Sequence, residues 1–399
     1  MIHDVILSDD VGGQAQLAQW LSAMALPLWS QEGFDRKSGL YFERLNFDGT
    51  PAAVTQRRLM VQMRQVATFC RAAADGINHD PAQAIECFDR LRWLYYRQDG
   101  QAGWVFSIGP DEKPANSARD LYAHAFVLFA HAGVFSATAD PHYIRSAHQT
   151  LSDVEFLFSD RSGEILGQSR NALGGKEQNP RMHMLEACLA LFEVSGEMAF
   201  WNFAQAIVDL AMARMIDHAT GTIAEVFTTR WSPVAHHGKI RVEPGHQLEW
   251  AWLLLEFLRL SPDSNSRPAV LDAAIRLGEQ GLKPLMHGGG AICDAVSTKG
   301  EMMERSVRIW PQTEAIRLLK DYGHLWPEQA RQYLPFLTAS LITQFLPARL
   351  NGGWFDHLDC AGMPLVNYMP ASSLYHIYGA ARCGGGGGAA TKFTGYAIG

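Results

Sequence analysis

Gly39-Leu40-Tyr41-Phe42-Glu43-Arg44-Leu45-Asn46-Phe47-Asp48-Gly49-Thr50-Pro51 has a counterpart near the other end of this 399-residue chain, Gly352-Gly353-Trp354-Phe355-Asp356-His357-Leu358-Asp359-Cys360-Ala361-Gly362-Met363-Pro364. Glycine, phenylalanine, leucine, glycine and proline recur at matching offsets, and Gly103-Trp104-Val105-Phe106 is a shorter echo. Each stretch reads as a small hairpin bent at glycine and followed by a helix begun near proline. Elsewhere the period is helical: Leu17, Leu21, Met24, Ala25 and Leu28 line one face of a helix over 14–29. The same spacing predicts helices near 54–74, 81–97, 118–133, 141–158, 181–194, 198–216, 246–259, 267–281, 306–321, 327–346 and 371–382. Twelve helices taken as six hairpins, none able to bury its own apolar face, predict an all-α (α/α)6 barrel with short β-hairpin loops. An open helical solenoid is the competing arrangement, and the match of first and last repeats favours the closed toroid. Residues 1–383 are then one barrel domain, and the low-complexity stretch 384–399 is a glycine-rich C-terminal tail.

A net charge of −7 and a pI near 6.1 argue against nucleic acid or an anionic membrane as partner. No stretch shows the roughly 18 apolar residues of a membrane span, and Met1-Ile2-His3-Asp4 does not begin a basic-then-apolar signal peptide. Cysteines 70, 87, 188, 293, 360 and 383 lack CxxC spacing, which predicts reduced thiols without a zinc site. The expectation is a cytoplasmic protein, monomer or homodimer, that acts on a small molecule.

Chemistry-bearing residues gather where prolines begin helices. In Val242-Glu243-Pro244-Gly245-His246-Gln247-Leu248-Glu249-Trp250, His246 and Glu249 share one face of the first turn. A carboxylate beside an imidazole fixes its tautomer and raises its basicity, which suits proton transfer. Asn179-Pro180-Arg181-Met182-His183-Met184-Leu185-Glu186 repeats that logic, and Met369-Pro370-Ala371-Ser372-Ser373-Leu374-Tyr375-His376 again places a histidine in a proline-started helix. Arg308-Ile309-Trp310-Pro311-Gln312-Thr313-Glu314 offers a cation, an aromatic face and a carboxylate; Arg64 interrupts the apolar helix Leu59 to Phe69; Asp120-Leu121-Tyr122-Ala123-His124 adds a further polar cluster. Each has an ordinary explanation as well. Arg64 can pair with a core carboxylate, Trp310 and Trp354 can be core aromatics, and His124 and His131 can be satisfied core histidines. Recurrence in one local context is what distinguishes His183, His246 and His376, which a barrel can bring to one rim.

Four readings follow from the residues. Histidines with arginine and aromatics favour proton transfer next to a carbonyl, as in sugar isomerisation or epimerisation. Two inward carboxylates suit glycoside hydrolysis. Paired His-x-x-Glu on facing helices, with Glu225, Glu243 and Glu314, suits a two-metal site, although three histidines at separate helix ends fit it poorly. A toroid that only binds a partner protein leaves the polar helix ends unexplained.

At these blocks, together with Gln62-Met63-Arg64-Gln65 and Gly352-Gly353-Trp354-Phe355, the chain resembles the N-acylglucosamine 2-epimerase superfamily, which includes cellobiose 2-epimerases and mannose isomerases. The blocks span most of residues 15–382. The resemblance implies an (α/α)6 barrel and a cofactor-free, metal-free proton transfer on an opened sugar. It implies that His376 and His246 move the C2 proton through a cis-enediolate, that Glu249 orients His246, that Arg64 holds substrate oxygens, and that His183 assists ring opening. Trp310, Glu186, Asn179, Arg308, Trp354, Tyr122 and His124 would contact the sugar. The block at Asn179 to Glu186 resembles the branches acting on unsubstituted sugars and the block at Asp120 resembles mannose isomerases, so mannose–fructose interconversion is expected, with lyxose–xylulose as a side activity. The alternative is inversion at C2, as in N-acylglucosamine or cellobiose 2-epimerases, with a glycoside hydrolase more remote. The nucleotide activator often required by the N-acyl branch has no P-loop to bind here, because Gly174-Gly175-Lys176-Glu177 lacks the upstream glycine and the hydroxyl residue.

Overall fold

The computed structural model describes residues 10–77, 80–159, 175–261, 267–286 and 290–382. The glycine-rich tail, Gly174 and Cys383 lie outside the described residues. Twelve helical runs are present among the described residues once 10–31, which passes through a π-turn at Leu21–Ala25, is counted as one. We number them α1 (10–31), α2 (Leu59–Ala74), α3 (Ala82–Tyr95), α4 (Leu121–Thr138), α5 (Pro141–Phe158), α6 (Gln178–Ser195), α7 (Met198–Leu210), α8 (Pro244–Leu260), α9 (Pro268–Met286), α10 (Ile309–Tyr322), α11 (Pro327–Ser340) and α12 (Leu374–Ala381).

The even-numbered helices form an inner ring in which each packs on the next and α12 returns to α2. They are buried on nearly every side, whereas the odd-numbered helices present one apolar face inward and one polar face outward. The outer layer also meets its own beginning: Gln14 donates to the Thr338 hydroxyl at 2.6 Å, joining α1 to α11. The chain thus adopts the (α/α)6 barrel rather than the open solenoid. One helix, Leu121–Thr138, is long and apolar enough by composition to cross a membrane, contrary to the reading of the sequence. It is an inner helix, with 72% of its apolar window buried inside the ring, so its apolarity serves the core.

Connections from outer to inner helices are long and carry short strands, while returns from inner to outer are short, as at Ala139-Asp140 between α4 and α5. Every inner helix therefore begins at the hairpin-bearing end of the ring. The repeat seen in sequence is structural there. Leu45 bridges Pro51 as Leu358 bridges Pro364, and Gly39, Gly49, Gly352 and Gly362 all take positive φ, which only glycine adopts without strain.

A second repeat is less visible in sequence. Gln62, Gln247 and Gln312, each the fourth residue of its inner helix, exchange two hydrogen bonds with the backbone of a preceding residue, Tyr41, Ile223 and Ile292 respectively. Two residues beyond each of those lies an acid, Glu43, Glu225 or Asp294, which accepts from the backbone N–H that precedes the helix, at Arg58, Glu243 or Arg308. Buried bonds of this kind contribute about 1 kcal/mol apiece and leave backbone groups unsatisfied when broken. They fix the pose of each first turn, where the polar residues sit.

Helix starts are the main departure from the periodicity. Residues 54–58 are not helical: Arg57–Arg58 pairs as a strand with Ser107–Ile108 before α2 begins. In the other direction, α4 runs on to Thr138, where Ala139 closes it in the left-handed conformation.

Candidate active site

At the hairpin end of the ring, the first two turns of the inner helices surround a cavity of about 450 Å³. Arg64, Tyr122, Asn179, His183, His246, Glu249, Arg308, Trp310 and His376 all line it. A larger cavity of about 630 Å³ lies beside the first hairpin, but it centres on the Asp35–Arg57 ion pair and contains no histidine. The inner helices direct their N-termini at the smaller cavity, where unpaired N–H groups and helix dipoles favour developing negative charge.

Each histidine stands on a carboxylate. His376 Nδ1 lies 2.8 Å from Glu314, His246 Nδ1 2.8 Å from Glu225, and His183 Nδ1 3.2 Å from Glu186. In each case Nδ1–H donates to the carboxylate and Nε2 lies on the far side of the ring. Trp310 sits between two of the rings, with centroids 4.8 Å from His246 and 5.7 Å from His376. Gly245 makes room for it: a Cβ there would stand 2.5 Å from the Trp310 ring, so this glycine serves close approach rather than a turn.

The three imidazoles are not equivalent. Burial and the nearby Arg64 guanidinium depress the pKa of His376 below the ordinary histidine value, against the pull of Glu314. Burial takes His183 down to about 4 in spite of Glu186. Burial also opposes charge on His246, yet Glu225, with Glu243 at 3.5 Å and then Glu249, raises it to about 9. At neutral pH His376 and His183 are bases and His246 is an acid.

Arg64 is almost fully buried without a carboxylate partner among the described residues. Its guanidinium donates to Tyr122 Oη at 2.6 Å and to the Ser372 carbonyl at 3.2 Å, and it lies over the rings of Phe126 and Tyr375. Arg64 Nε, Asn179 Oδ1 and both oxygens of Glu249 are buried without hydrogen-bond partners. Unpaired buried polar atoms that converge on one cavity are what a polyhydroxylated ligand would satisfy. Burial, reinforced by the negative charges of Glu314 and Glu186, pushes the Glu249 carboxyl well above its usual range, so it is a hydrogen-bond donor at neutral pH.

Four sequence assignments are corrected. Glu249 does not orient His246. Helical side chains lean toward the N-terminus, so His246 reaches the hairpins and meets Glu225, while Glu249 lies one turn deeper, 3.7 Å from His183. His124 is a core histidine, held by the Asp120 carbonyl and the Trp104 N–H. Trp354 is fully buried and stacks on Trp29 at 5.5 Å, away from the cavity. Glu186 lies beneath the cavity, under His183, instead of lining it.

Two residues were missed. Glu225 sits in the short link between the strands Thr222–Ile223 and Val226–Phe227 and entered the sequence reading only as a metal ligand. Arg317, one turn below Glu314, spans Glu314 at 3.4 Å and Glu186 at 3.2 Å. Among the described residues, three clusters have ligand-like spacing for a metal ion: His183, Glu186 and Glu249; Glu225, Glu243 and His246; Glu249, Glu314 and His376. Each contains a histidine–carboxylate hydrogen bond, or in the last case the His376–Glu314 pair, so the donor set is already organised as imidazole–carboxylate pairs.

The family model described as N-acylglucosamine 2-epimerase (GlcNAc 2-epimerase) matches residues 40–380. A Rhizobium meliloti protein named mannose-6-phosphate isomerase is 32% identical, with 91% of this chain and 94% of that one covered. A cellobiose 2-epimerase of Dictyoglomus turgidum is 20% identical over 90% of this chain and 92% of its own. Among solved structures, a D-mannose isomerase superposes with a TM-score of 0.77 at 19% identity, covering 94% and 97% of the two chains.

Proposed function

The chain belongs to the N-acylglucosamine 2-epimerase family and is an isomerase, an aldose–ketose isomerase or a sugar 2-epimerase, and from that premise we propose that it interconverts D-mannose and D-fructose. The observation that carries this reading is the inequality of His376 and His246 across one small cavity. Neutral His376 takes the C2 proton of the open-chain aldose through Nε2. Charge develops on O1, where Arg64 and the helix N-termini stabilise the cis-enediolate. His246 protonates O1 and then receives the O2 proton as the C2 carbonyl forms. His376 returns its proton to C1, so atoms and charge balance. His183, deeper in the cavity, assists ring opening. Inversion at C2 would use the same pair, with the His246 imidazolium delivering a proton to the opposite face of C2, so the product formed separates the two outcomes.

The lining also favours a neutral hexose over its phosphate. Glu177, Glu225, Glu243, Glu249 and Asp356 face the cavity against Arg64 and Arg308, and Arg64 is already engaged by Tyr122 and Ser372. A dianionic group would meet more carboxyl than guanidinium groups. The test is a substrate comparison on purified protein: mannose, mannose 6-phosphate, cellobiose and N-acetylglucosamine. Mannose is expected to give fructose, with activity abolished in His376→Asn and His246→Asn. Preferred turnover of the phosphate, or C2 inversion without ketose, would overturn the reading.

A further inference from the structure

The acid at position 225 is part of a structural repeat, and its counterparts show what is unusual about it. Glu43, Glu225 and Asp294 each cap an inner helix with one carboxylate oxygen. The second oxygen of Glu43 pairs with Arg58, and that of Asp294 meets His357 and Ser306 at the rim. The second oxygen of Glu225 faces His246 and accepts from Gln178, and no lysine or arginine pairs with it among the described residues. On the other side of the cavity the arrangement is reversed. Glu314 and Glu186, beneath His376 and His183, share one guanidinium, that of Arg317, which also lies 3.3 Å over Trp252.

We propose that Arg317 and Glu225 are positioning residues that divide the protonation of the three histidines. Arg317, by spanning Glu186 and Glu314, keeps His183 and His376 neutral. Glu225, with no fixed cation on it, keeps His246 an imidazolium. Burial would discharge all three and Arg64 adds to this at His376 and His183, so the remaining difference lies in whether the supporting carboxylate has spent its charge elsewhere. The other groups facing His246 are Glu243, itself paired with Arg241, Glu249 one turn deeper, and Glu177, Arg64, Arg308 and His376 around the cavity. This inference rests on the acid and base roles proposed above.

Glu225→Gln preserves the cap, because its amide oxygen still accepts from the Glu243 N–H, but presents an N–H₂ to His246 in place of charge. Nitrogen-15 spectra of histidine-labelled protein near pH 8 should show His246 mostly imidazolium in the wild type and at least about half neutral in Glu225→Gln. In kinetics, losing a carboxylate at this range lowers the pKa by about 1–3 units. The variant should therefore lose about tenfold more kcat/KM than the wild type between pH 6 and pH 8. Arg317→Gln should move His376 and His183 to higher pH, leave His246 charged, and be corrected by Arg317→Lys. A His246 that stays charged in Glu225→Gln, with an unmoved alkaline limb, overturns the proposal, and Glu225→Gln carries the test even where Arg317→Gln fails to fold. Because the spectra need no substrate, a wild type inactive on mannose would refute the reaction while leaving this assignment decided by the imidazole signals.

Discussion

Replacing Arg64 by methionine separates its cost to folding from its use in catalysis. The guanidinium is 5% exposed and makes two hydrogen bonds, to Tyr122 Oη and the Ser372 carbonyl. Each contributes roughly 1–3 kcal/mol when the donor is charged. Against them stands the desolvation of a cation with no carboxylate beside it, several kcal/mol even after relaxation. The two nearly cancel, and the methionine stem can still pack on Phe126 and Tyr375, which now lie 4.2 Å and 5.0 Å from the guanidinium carbon. Stability should therefore change little, with Tm within a few degrees of wild type. Catalysis should suffer far more, because loss of one donor at a developing oxyanion costs about 10²–10³ in kcat, roughly 3–4 kcal/mol. The assay pairs thermal unfolding with initial rates of fructose formation from mannose. A variant that unfolds many degrees lower while keeping its kcat would show that Arg64 is a structural cation and refute the reasoning.

Other outcomes follow from the same geometry. Glu249→Gln should raise Tm at pH 8: the native carboxyl holds a proton that the unfolded chain has released, so its folded form loses stability as pH rises above the ordinary carboxylate range. An unchanged or lower Tm would contradict the neutral carboxyl. For His246, raised to about 9, the sign is that of a base gaining partners. Its contribution to stability is complete below about 6.5 and disappears as pH rises to 9, so denaturant midpoints should fall across that window in the wild type and less so in Glu225→Gln. Gly245→Ala drives a methyl into the Trp310 ring and should cost about 1–3 kcal/mol of stability together with at least about a tenfold loss in kcat/KM. Wild-type kinetics would show that the placement of Trp310 is irrelevant.

Much of the ring was legible because it repeats. Hairpins closed by Leu45–Pro51 and Leu358–Pro364 recur with the same glycines, and helical periodicity survives even in the inner helices, where nearly every side chain is buried. Prolines at helix starts located the rim, and with it His183, His246 and His376. The carboxylates were harder to place. Glu249 shares a helix face with His246, and spacing alone cannot say that the imidazole turns back to a hairpin while the carboxyl points into the ring. Glu225 comes from a loop whose only signal is its offset from Ile223, shared with Glu43 after Tyr41 and Asp294 after Ile292. Arg317 resembles any basic residue in an amphipathic helix until the third dimension sets Glu186 beside it. Trp354 and His124 were drawn toward the site by neighbouring polar motifs, whereas packing on Trp29 and a bond to the Asp120 carbonyl hold them in the core.

The central claim is that neutral His376 carries one proton between C2 and C1 of an unmodified hexose. It is tested most directly by proton NMR of mannose with the enzyme in D₂O. The account predicts fructose with deuterium at C1, incorporated on one face, and none of either appearing with His376→Asn. Glucose with deuterium at C2 and no ketose would contradict it and make His246 a second carbon base.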